Sequence, residues 1–401
     1  MRTTWTFHSA GQLIFGQNAT RNLNEVVVGL NIKRLLLVTD PVLVRAGLVD
    51  PVMGPLSEAG VSVELFTGGE PEPSLRAAYS CIAVGRDFRP DAVLGLGGGS
   101  NMDLAKIAAL VLTHGGTPSM YFGDGKVPGP VMPILCLPTT AGTGSEVSAA
   151  AVVTDTENEI KVSTLSNHLR PRVAIIDPLL TLTCPPKVTA DSGIDALTHA
   201  IEAYMAVDNA RFPLPPGERS VYQGKNPLAD LHAEQTIRLV GQFLRRAVKD
   251  GQDLEAREGM AVAATLGGLA FSNAGVAVVH ALEYPLGGAT HCSHGAGNGL
   301  LLPYVMRYNR PGRERELANI ARLLGEDVQG LTETQAADRA ITAVEQLRQD
   351  IGIPTRLREL GVVESQLRGF AEKAFPLKRI LRVNPREVTV ESLEGILREA
   401  L

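Results

Sequence analysis

Residues 1–186 read as an α/β domain with a mostly parallel sheet, and residues 187–401 as an all-helical domain. Three observations predict this. Short apolar, β-branched runs alternate with helical stretches through the first half. Pro185-Pro186 then breaks the chain. Beyond it the spacing is helical, with no convincing strand. At 401 residues, 44% of them hydrophobic, the chain can bury two cores.

The strands come in order. Arg34–Thr39 is a buried run closed by Asp40-Pro41, and Val61–Phe66 alternates until Gly68-Gly69. Residues 75–88 carry a helical pattern into Pro90. Asp91–Leu96 is a third strand and Met102–Leu112 its following helix, with Pro133–Leu137 and Val173–Ile176 completing the set. Helices follow at 189–205, 228–249, 253–273, 313–325, 332–351 and 389–400. Val207–Asn226, rich in Pro, Gly and charge, has no periodicity, and loops of that length are usually functional or mobile.

Composition excludes several classes. A formal net charge of −5 and a pI near 6.0 leave no footprint for nucleic acid. No apolar run approaches the roughly 20 residues that span a bilayer, so no membrane partner is expected. Met1–His8 lacks the apolar core of a signal peptide. Cys81, Cys136, Cys184 and Cys292 form no Cys-x-x-Cys pair and read as reduced thiols of a cytoplasmic protein.

Two glycine-rich turns follow strands. Gly97-Gly98-Gly99-Ser100 opens the helix carrying Asp103, and such a turn lets a phosphate approach helix-terminal N–H groups. It equally reads as a tight strand-to-helix turn. Pro138-Thr139-Thr140-Ala-Gly142-Thr143-Gly144-Ser145-Glu146 places hydroxyls on what should be the same sheet edge. Asp40 sits where a carboxylate can accept hydrogen bonds from an adenosine ribose and repel a 2′-phosphate. It is equally a turn residue. Together the turns fit NAD(H) lying across the carboxyl edge.

The second half supplies metal-ligating types. Asp195 and His199 stand four apart, on one face of a helix. In the segment His280–His294, a helix can end near Pro285-Leu-Gly-Gly so that the chain turns back to present a further imidazole. Three His and one Asp suit a first-row divalent ion with room for one more ligand. Cys292 lies nearby, with an incidental thiol the plainer reading.

These residues resemble the iron-containing (group III) alcohol dehydrogenases over nearly the whole chain, from Gly97–Asp103 to Asn384-Pro385-Arg386. Pro138–Glu146, Asp195–Tyr204 and His280–Asn298 resemble family signatures. The resemblance implies a dehydroquinate synthase-like fold, a usually dimeric NAD(P)-dependent enzyme, and a catalytic divalent metal in the cleft between the domains. The ligands would be Asp195, His199, His280 and His294, and the metal Fe²⁺, with Zn²⁺ an alternative in purified protein. Cofactor contacts would include Asp40, Gly97, Gly98, Gly99, Ser100, Asp103, Thr139, Thr140, Thr143 and Lys161. Phe271 would line the substrate pocket, although core packing for Phe271 and a solvated charge for Lys161 remain open readings. Tyr284 stands where many members carry a histidine, so Tyr284, His291 or a ribose hydroxyl would serve the proton relay. Glu72 replaces a usual Asn, and Ala149–Ala151 make a small pocket wall.

The expected activity is metal-dependent, NAD(H)-linked alcohol oxidation or aldehyde reduction, with hydride transfer between a metal-bound alkoxide and nicotinamide C4. Tyr284, the Ala190–Gly193 lead-in and the 207–226 loop also look close to the hydroxyacid-oxoacid transhydrogenases. On that alternative, Arg211 or Arg219 would meet a 4-hydroxy acid's carboxylate. Glycerol-phosphate dehydrogenase or dehydroquinate synthase-like chemistry would need a phosphate cluster, for which Lys378, Arg379 and Arg382 are the nearest candidates. A metal-stabilised scaffold without activity would have to explain both the glycine turns and the ligand set.

Overall fold

The structure, a computed structural model, describes residues 2–156, 160–215, 217–218 and 220–401. The chain divides into two compact units, residues 8–184 and residues 185–401 together with 1–7. The division expected at 186/187 thus differs at the N-terminus. There Gln223 receives the Thr6 N–H at 3.0 Å and donates to the Thr6 carbonyl at 2.9 Å, fixing the first residues to the helical unit.

The strands of the first unit are β1 (Leu13–Phe15), β2 (Arg34–Val38), β3 (Ser62–Phe66), β4 (Ala92–Gly97), β5 (Gly123–Asp124), β6 (Ile134–Pro138), β7 (Ala150–Asp155), β8 (Ile160–Leu165) and β9 (Val173–Ile176). Its helices are α1 (Leu23–Gly29), α2 (Pro41–Arg45), α3 (Asp50–Glu58), α4 (Leu75–Phe88) and α5 (Gly99–His114). Six strands form one sheet in the order β1-β9-β6-β4-β2-β3, and every pairing is parallel. A parallel sheet is covered on both faces, which is why its strands read as unbroken apolar runs. Leu36, Val38, Val93 and Cys136 face a core shared with Ile82, Met102 and Ile107. Their neighbours Leu35, Leu37, Leu94, Leu96 and Leu137 face the opposite core with Leu23, Val27, Val52 and Leu56. The two-residue period assigns each side chain to its face.

A second sheet was not expected. β7 pairs antiparallel with β8, which pairs parallel with β5. Ala151, expected in a pocket wall, is fully buried in the core beside Cys136 and Val153.

The second unit contains α6 (Pro186–Met205), α7 (Pro227–Lys249), α8 (Leu254–Ala274), α9 (Val278–Thr290), α10 (His294–Asn309), α11 (Glu314–Leu323), α12 (Glu333–Asp350), α13 (Leu367–Ala374), α14 (Lys378–Leu381) and α15 (Val390–Ala400). Among the described residues it has no strand, only an isolated bridge between Asp208 and Lys225. That bridge pinches the 207–226 loop at its base, where Asn209 also donates to the Gln223 carbonyl at 2.7 Å. One expectation is corrected. α9 does not end near Pro285 but runs through it to Thr290, because Val278–Gly287 are all buried and packing outweighs the single lost backbone bond. The helix stops at His291, whose φ of 54° makes a left-handed cap.

No single helix among the described residues is long and apolar enough to cross a membrane. α8 and α9 together pass by length and composition, but bend by 105° at their break. No disulfide joins Cys81, Cys136, Cys184 and Cys292.

Candidate functional site

In the first unit, the carboxyl ends of β2, β4 and β6 gather the expected nucleotide residues. From β2 the chain passes outward to β3, and it re-enters the sheet on the other side as β4. Such a switch point opens a crevice at the strand ends. Gly97 has a φ of 144°, and a β-carbon there would meet Asn101 Nδ2 at 2.2 Å. A β-carbon on Gly99 would meet Thr143 Cγ2 at 2.8 Å. The glycines therefore serve the close approach of the Thr139–Ser145 loop as well as the turn itself. Gly98, Gly99, Ser100, Thr140 and Thr143 stay partly exposed along this edge, and Thr139 is buried with its N–H on the Gly97 carbonyl at 2.9 Å.

Three expected cofactor residues have other partners. Asp40 caps α2, its Oδ1 accepting from Val42 and Leu43 N–H at 2.8 and 3.0 Å, while Oδ2 accepts from Asn101 at 2.8 Å. The turn reading thus holds for one carboxylate oxygen. Lys161 lies buried against Glu72 Oε2 at 2.8 Å, so it is no solvated charge. Asp103 accepts from Ser145 Oγ at 2.6 Å and from Val152 N–H at 2.9 Å.

Beside Asp103 lies a residue the sequence reading passed over. Lys106 is fully buried and donates to Ser145 Oγ, Ser148 O, Ser148 Oγ and Ala150 O at 2.8, 3.2, 3.2 and 2.7 Å. Its ammonium is 3.7 Å from Asp103. Burial lowers the Lys106 pKa, with Asp103 opposing, and burial likewise raises that of Asp103. The pair staples the Thr139–Ala150 segment to α5. Its i, i+3 spacing was the available signal.

In the second unit, α6 presents Asp195, His199 and Glu202 from one face, at i, i+4 and i+7. His280 enters from α9 and His294 is the first residue of α10. Donor atoms of Asp195, His280 and His294 lie within 4.8 Å of one another. Both His280 Nε2 and His294 Nε2 are 3.9 Å from Asp195 Oδ1. Ligands about 2.0–2.2 Å from a shared ion lie within about 4.4 Å of one another, as these pairs do. His199 borders the group with Nδ1 3.9 Å from Asp195 Oδ2. Its ring stacks between Phe271, at 4.1 Å, and His280, at 4.8 Å. Phe271 thus packs directly on an expected ligand. Cys292 is not among the grouped donors.

The supporting shell was also missed in the sequence. Glu202 Oε2 lies 2.6 Å from His280 Nδ1, and the same carboxylate receives the N–H groups of Ala277 and Val279 at 2.8 and 2.7 Å. Glu283 Oε2 lies 2.6 Å from His294 Nδ1. Asn298 Nδ2 sits amid the donors, 2.8 Å from Asp195 Oδ1 and 3.2 and 3.1 Å from the Nε2 atoms of His280 and His294. Each follows a donor by three or four residues on a helix, a spacing that could have revealed all three. Burial alone would raise the Asp195 pKa, but His199, His294, His280 and the Asn298 hydrogen bond outweigh it and hold the carboxyl below its usual range.

The proton-relay candidates separate. Tyr284 is buried with its ring 6.5 Å from that of His294, whereas His291 is an exposed helix cap. Arg211 is exposed on a short turn, and Arg219 lies outside the described residues. Of the phosphate candidates, Lys378 packs on Phe375 and Arg382 pairs with Glu218 at 2.8 Å.

The start of α10 is fixed by close backbone contact. A β-carbon on Gly295 would lie 1.9 Å from the Asp191 carbonyl oxygen on α6. Gly295→Ala should therefore destabilise the protein by about 1–3 kcal/mol or more and shift the adjacent His294. Urea denaturation and ion content after gel filtration would check both effects.

A nucleotide-type parallel sheet and a grouped Asp–His donor set are the parts of a nucleotide-linked, metal-assisted enzyme. Residues 10–178 match the family described as iron-containing alcohol dehydrogenase, and residues 218–401 match the Fe-containing alcohol dehydrogenase family, C-terminal. The chain is 40% identical over 389 residues to long-chain-alcohol dehydrogenase 1 of Geobacillus thermodenitrificans, covering 96% of this chain and 94% of the relative. It is 36% identical over 388 residues to the NAD-dependent methanol dehydrogenase of Bacillus methanolicus, covering 97% of each. The crystal structure of a 1,3-propanediol oxidoreductase superposes with a TM-score of 0.92 at 39% identity, covering 99% of this chain and 100% of that one. The chain belongs to the iron-containing alcohol dehydrogenase family, NAD(H)-linked and divalent-metal-dependent oxidoreductases.

Proposed function

We propose that this alcohol dehydrogenase holds its divalent ion on Asp195, His199, His280 and His294, and acts on uncharged alcohols and aldehydes. The observation that carries the reading is the grouping of donors from buried Asp195 and His280 with partly buried His294. The donor set fits such an ion because the second nitrogens of His280 and His294 face Glu202 and Glu283, leaving both Nε2 atoms toward Asp195. When bound, the ion supplies Lewis acidity to the substrate oxygen. Imidazole and carboxylate donors accept Fe(II), the expected physiological metal, and zinc by intrinsic affinity.

Unit 8–184 would bind NAD(H) along Gly97–Ser100, Thr139, Thr140 and Thr143, with Asp40 favouring NAD over NADP. Asp103 and Lys161 would act by holding β7 and β8 in place. The helical unit would bind the metal. Buried Tyr284 is the better relay candidate than exposed His291. A cytoplasmic homodimer completes the proposal, supported by four cysteines that form no disulfide and by exposed Leu13 and Phe15 on the edge strand β1.

Charge supports uncharged substrates. Asp195 lies within the donor set, and Glu202 and Glu283 stand behind it on the His280 and His294 Nδ1 atoms, three carboxylates in all. A bound divalent ion offsets two of these three charges, so a net charge of about −1 would remain to oppose a hydroxy acid's carboxylate held beside the donor set. Nothing observed favours the transhydrogenase alternative.

The test is NADH fluorescence on metal-reconstituted protein with 1,3-propanediol, long-chain primary alcohols and 4-hydroxybutyrate. NAD reduction by the uncharged alcohols is expected, at least about tenfold faster than with the hydroxy acid, equivalent to roughly 1.4 kcal/mol. Turnover of 4-hydroxybutyrate with 2-oxoglutarate and no added NAD would overturn the substrate assignment.

A further inference from the structure

We propose that Glu283 is a positioning residue for the divalent ion, holding His294 so that Nε2, not Nδ1, faces Asp195. The inference rests on the metal reading above. His294 is the most exposed of the grouped donors, and it begins α10 directly after a loop. A ring in that position can turn about its Cβ–Cγ bond unless something holds it.

Three observations give Glu283 that task. Its side chain is completely buried, and it is the sole carboxylate on α9. Burying a carboxylate without a partner is expensive, so its placement needs a reason. Oε2 is 2.6 Å from His294 Nδ1, while the ring's other nitrogen is 3.9 Å from Asp195 Oδ1. Close packing behind it also leaves little room to retreat. A β-carbon on Gly297 would lie 3.0 Å from Glu283 Cγ and 3.3 Å from Cys292 Sγ. A carboxylate on Nδ1 fixes the tautomer in which Nε2 carries the free lone pair, and this orients the ring and raises its basicity toward a metal.

Glu202 hydrogen-bonds His280 Nδ1, whereas Glu283 Oε2 meets His294 Nδ1 as a close ion-pair contact, and Glu202 also receives two N–H groups at the start of α9. Replacing it would disturb that helix as well as the ring. Glu283 makes its contact from within a helix, so it isolates positioning from capping.

The test measures binding, separately from turnover. Zinc affinity of wild type, Glu283→Leu and Glu283→Gln would be measured by competition with a chromophoric chelator. Melting of the ion-free proteins and ¹⁵N tautomer spectra of His294 would run alongside. Glu283→Leu should weaken zinc binding about 10–100-fold and mix the His294 tautomers. Glu283→Gln, which keeps an oxygen of the same reach beside Nδ1, should recover most of the affinity. Equal zinc affinity in Glu283→Leu and wild type would overturn the proposal, including when the ion-free variant melts lower, since that result makes Glu283 a packing residue. Wild-type protein that holds no zinc or iron would instead overturn the metal reading itself.

Discussion

Asp195→Ala is expected to abolish alcohol oxidation, with kcat/KM falling by roughly 10³-fold or more. That estimate takes a Lewis acid to be worth several kcal/mol of transition-state stabilisation, at tenfold per 1.4 kcal/mol. Asp195 is the sole carboxylate in the grouped donor set, and both Nε2 donors are placed 3.9 Å from its Oδ1. Its loss also removes the acceptor that fixes Asn298 between them. Ion content should fall together with kcat/KM while NADH still binds, because the glycine turns belong to another part of the chain. Steady-state kinetics, metal analysis and NADH titration read the three quantities separately. Full activity in ion-free Asp195→Ala would remove the metal from the chemistry.

Lys106→Met carries the largest expected loss of stability. The fully buried ammonium serves four oxygens and lies 3.7 Å from Asp103, which is itself mostly buried. Breaking a buried ion pair from one side typically costs about 3–5 kcal/mol, because the surviving charge is left uncompensated. Asp103 would be that survivor. The same change frees the segment from Ser145 to Ala150, so the KM for NAD should rise more than kcat falls. Chemical denaturation and initial rates at varied NAD would check both. A variant as stable as wild type would show that Asp103 alone, through Ser145 and Val152, suffices to hold the segment.

The parallel sheet was legible because its strands are buried on both faces. Leu35-Leu36-Leu37-Val38 and Ala92–Leu96 leave no polar position for alternation to hide. β7 and β8 escape the sequence reading, although Ala150–Asp155 and Ile160–Leu165 are rich in the β-branched residues that favour strands. Their pairing is supported from outside, by Asp103 on Val152 N–H and by the Pro73 carbonyl on Thr154 N–H. Pro285 misled in the opposite direction. A proline is a strong local signal, and a fully buried helix face overrode it. At the site, residue types that ligate metals stood out by chemistry. Glu202, Glu283, Asn298 and Lys106 act on other side chains, and only the folded arrangement names their targets.

The order of the sheet also bears on how the protein is made. β1 pairs with β9 alone, so Leu13 meets Ala174, a residue 161 positions later (174 − 13). At synthesis rates of about 5–20 residues per second, the first strand waits roughly 8–30 s for its partner. Over the last 35 residues of that interval (173 − 138), from Pro138 to Val173, the free edge of β6, with Leu135 and Cys136, has no neighbour on its β9 side. A nascent chain stalled before Val173 would therefore present apolar strand edges to whatever it meets on the ribosome. The last strand of this sheet is also its seal.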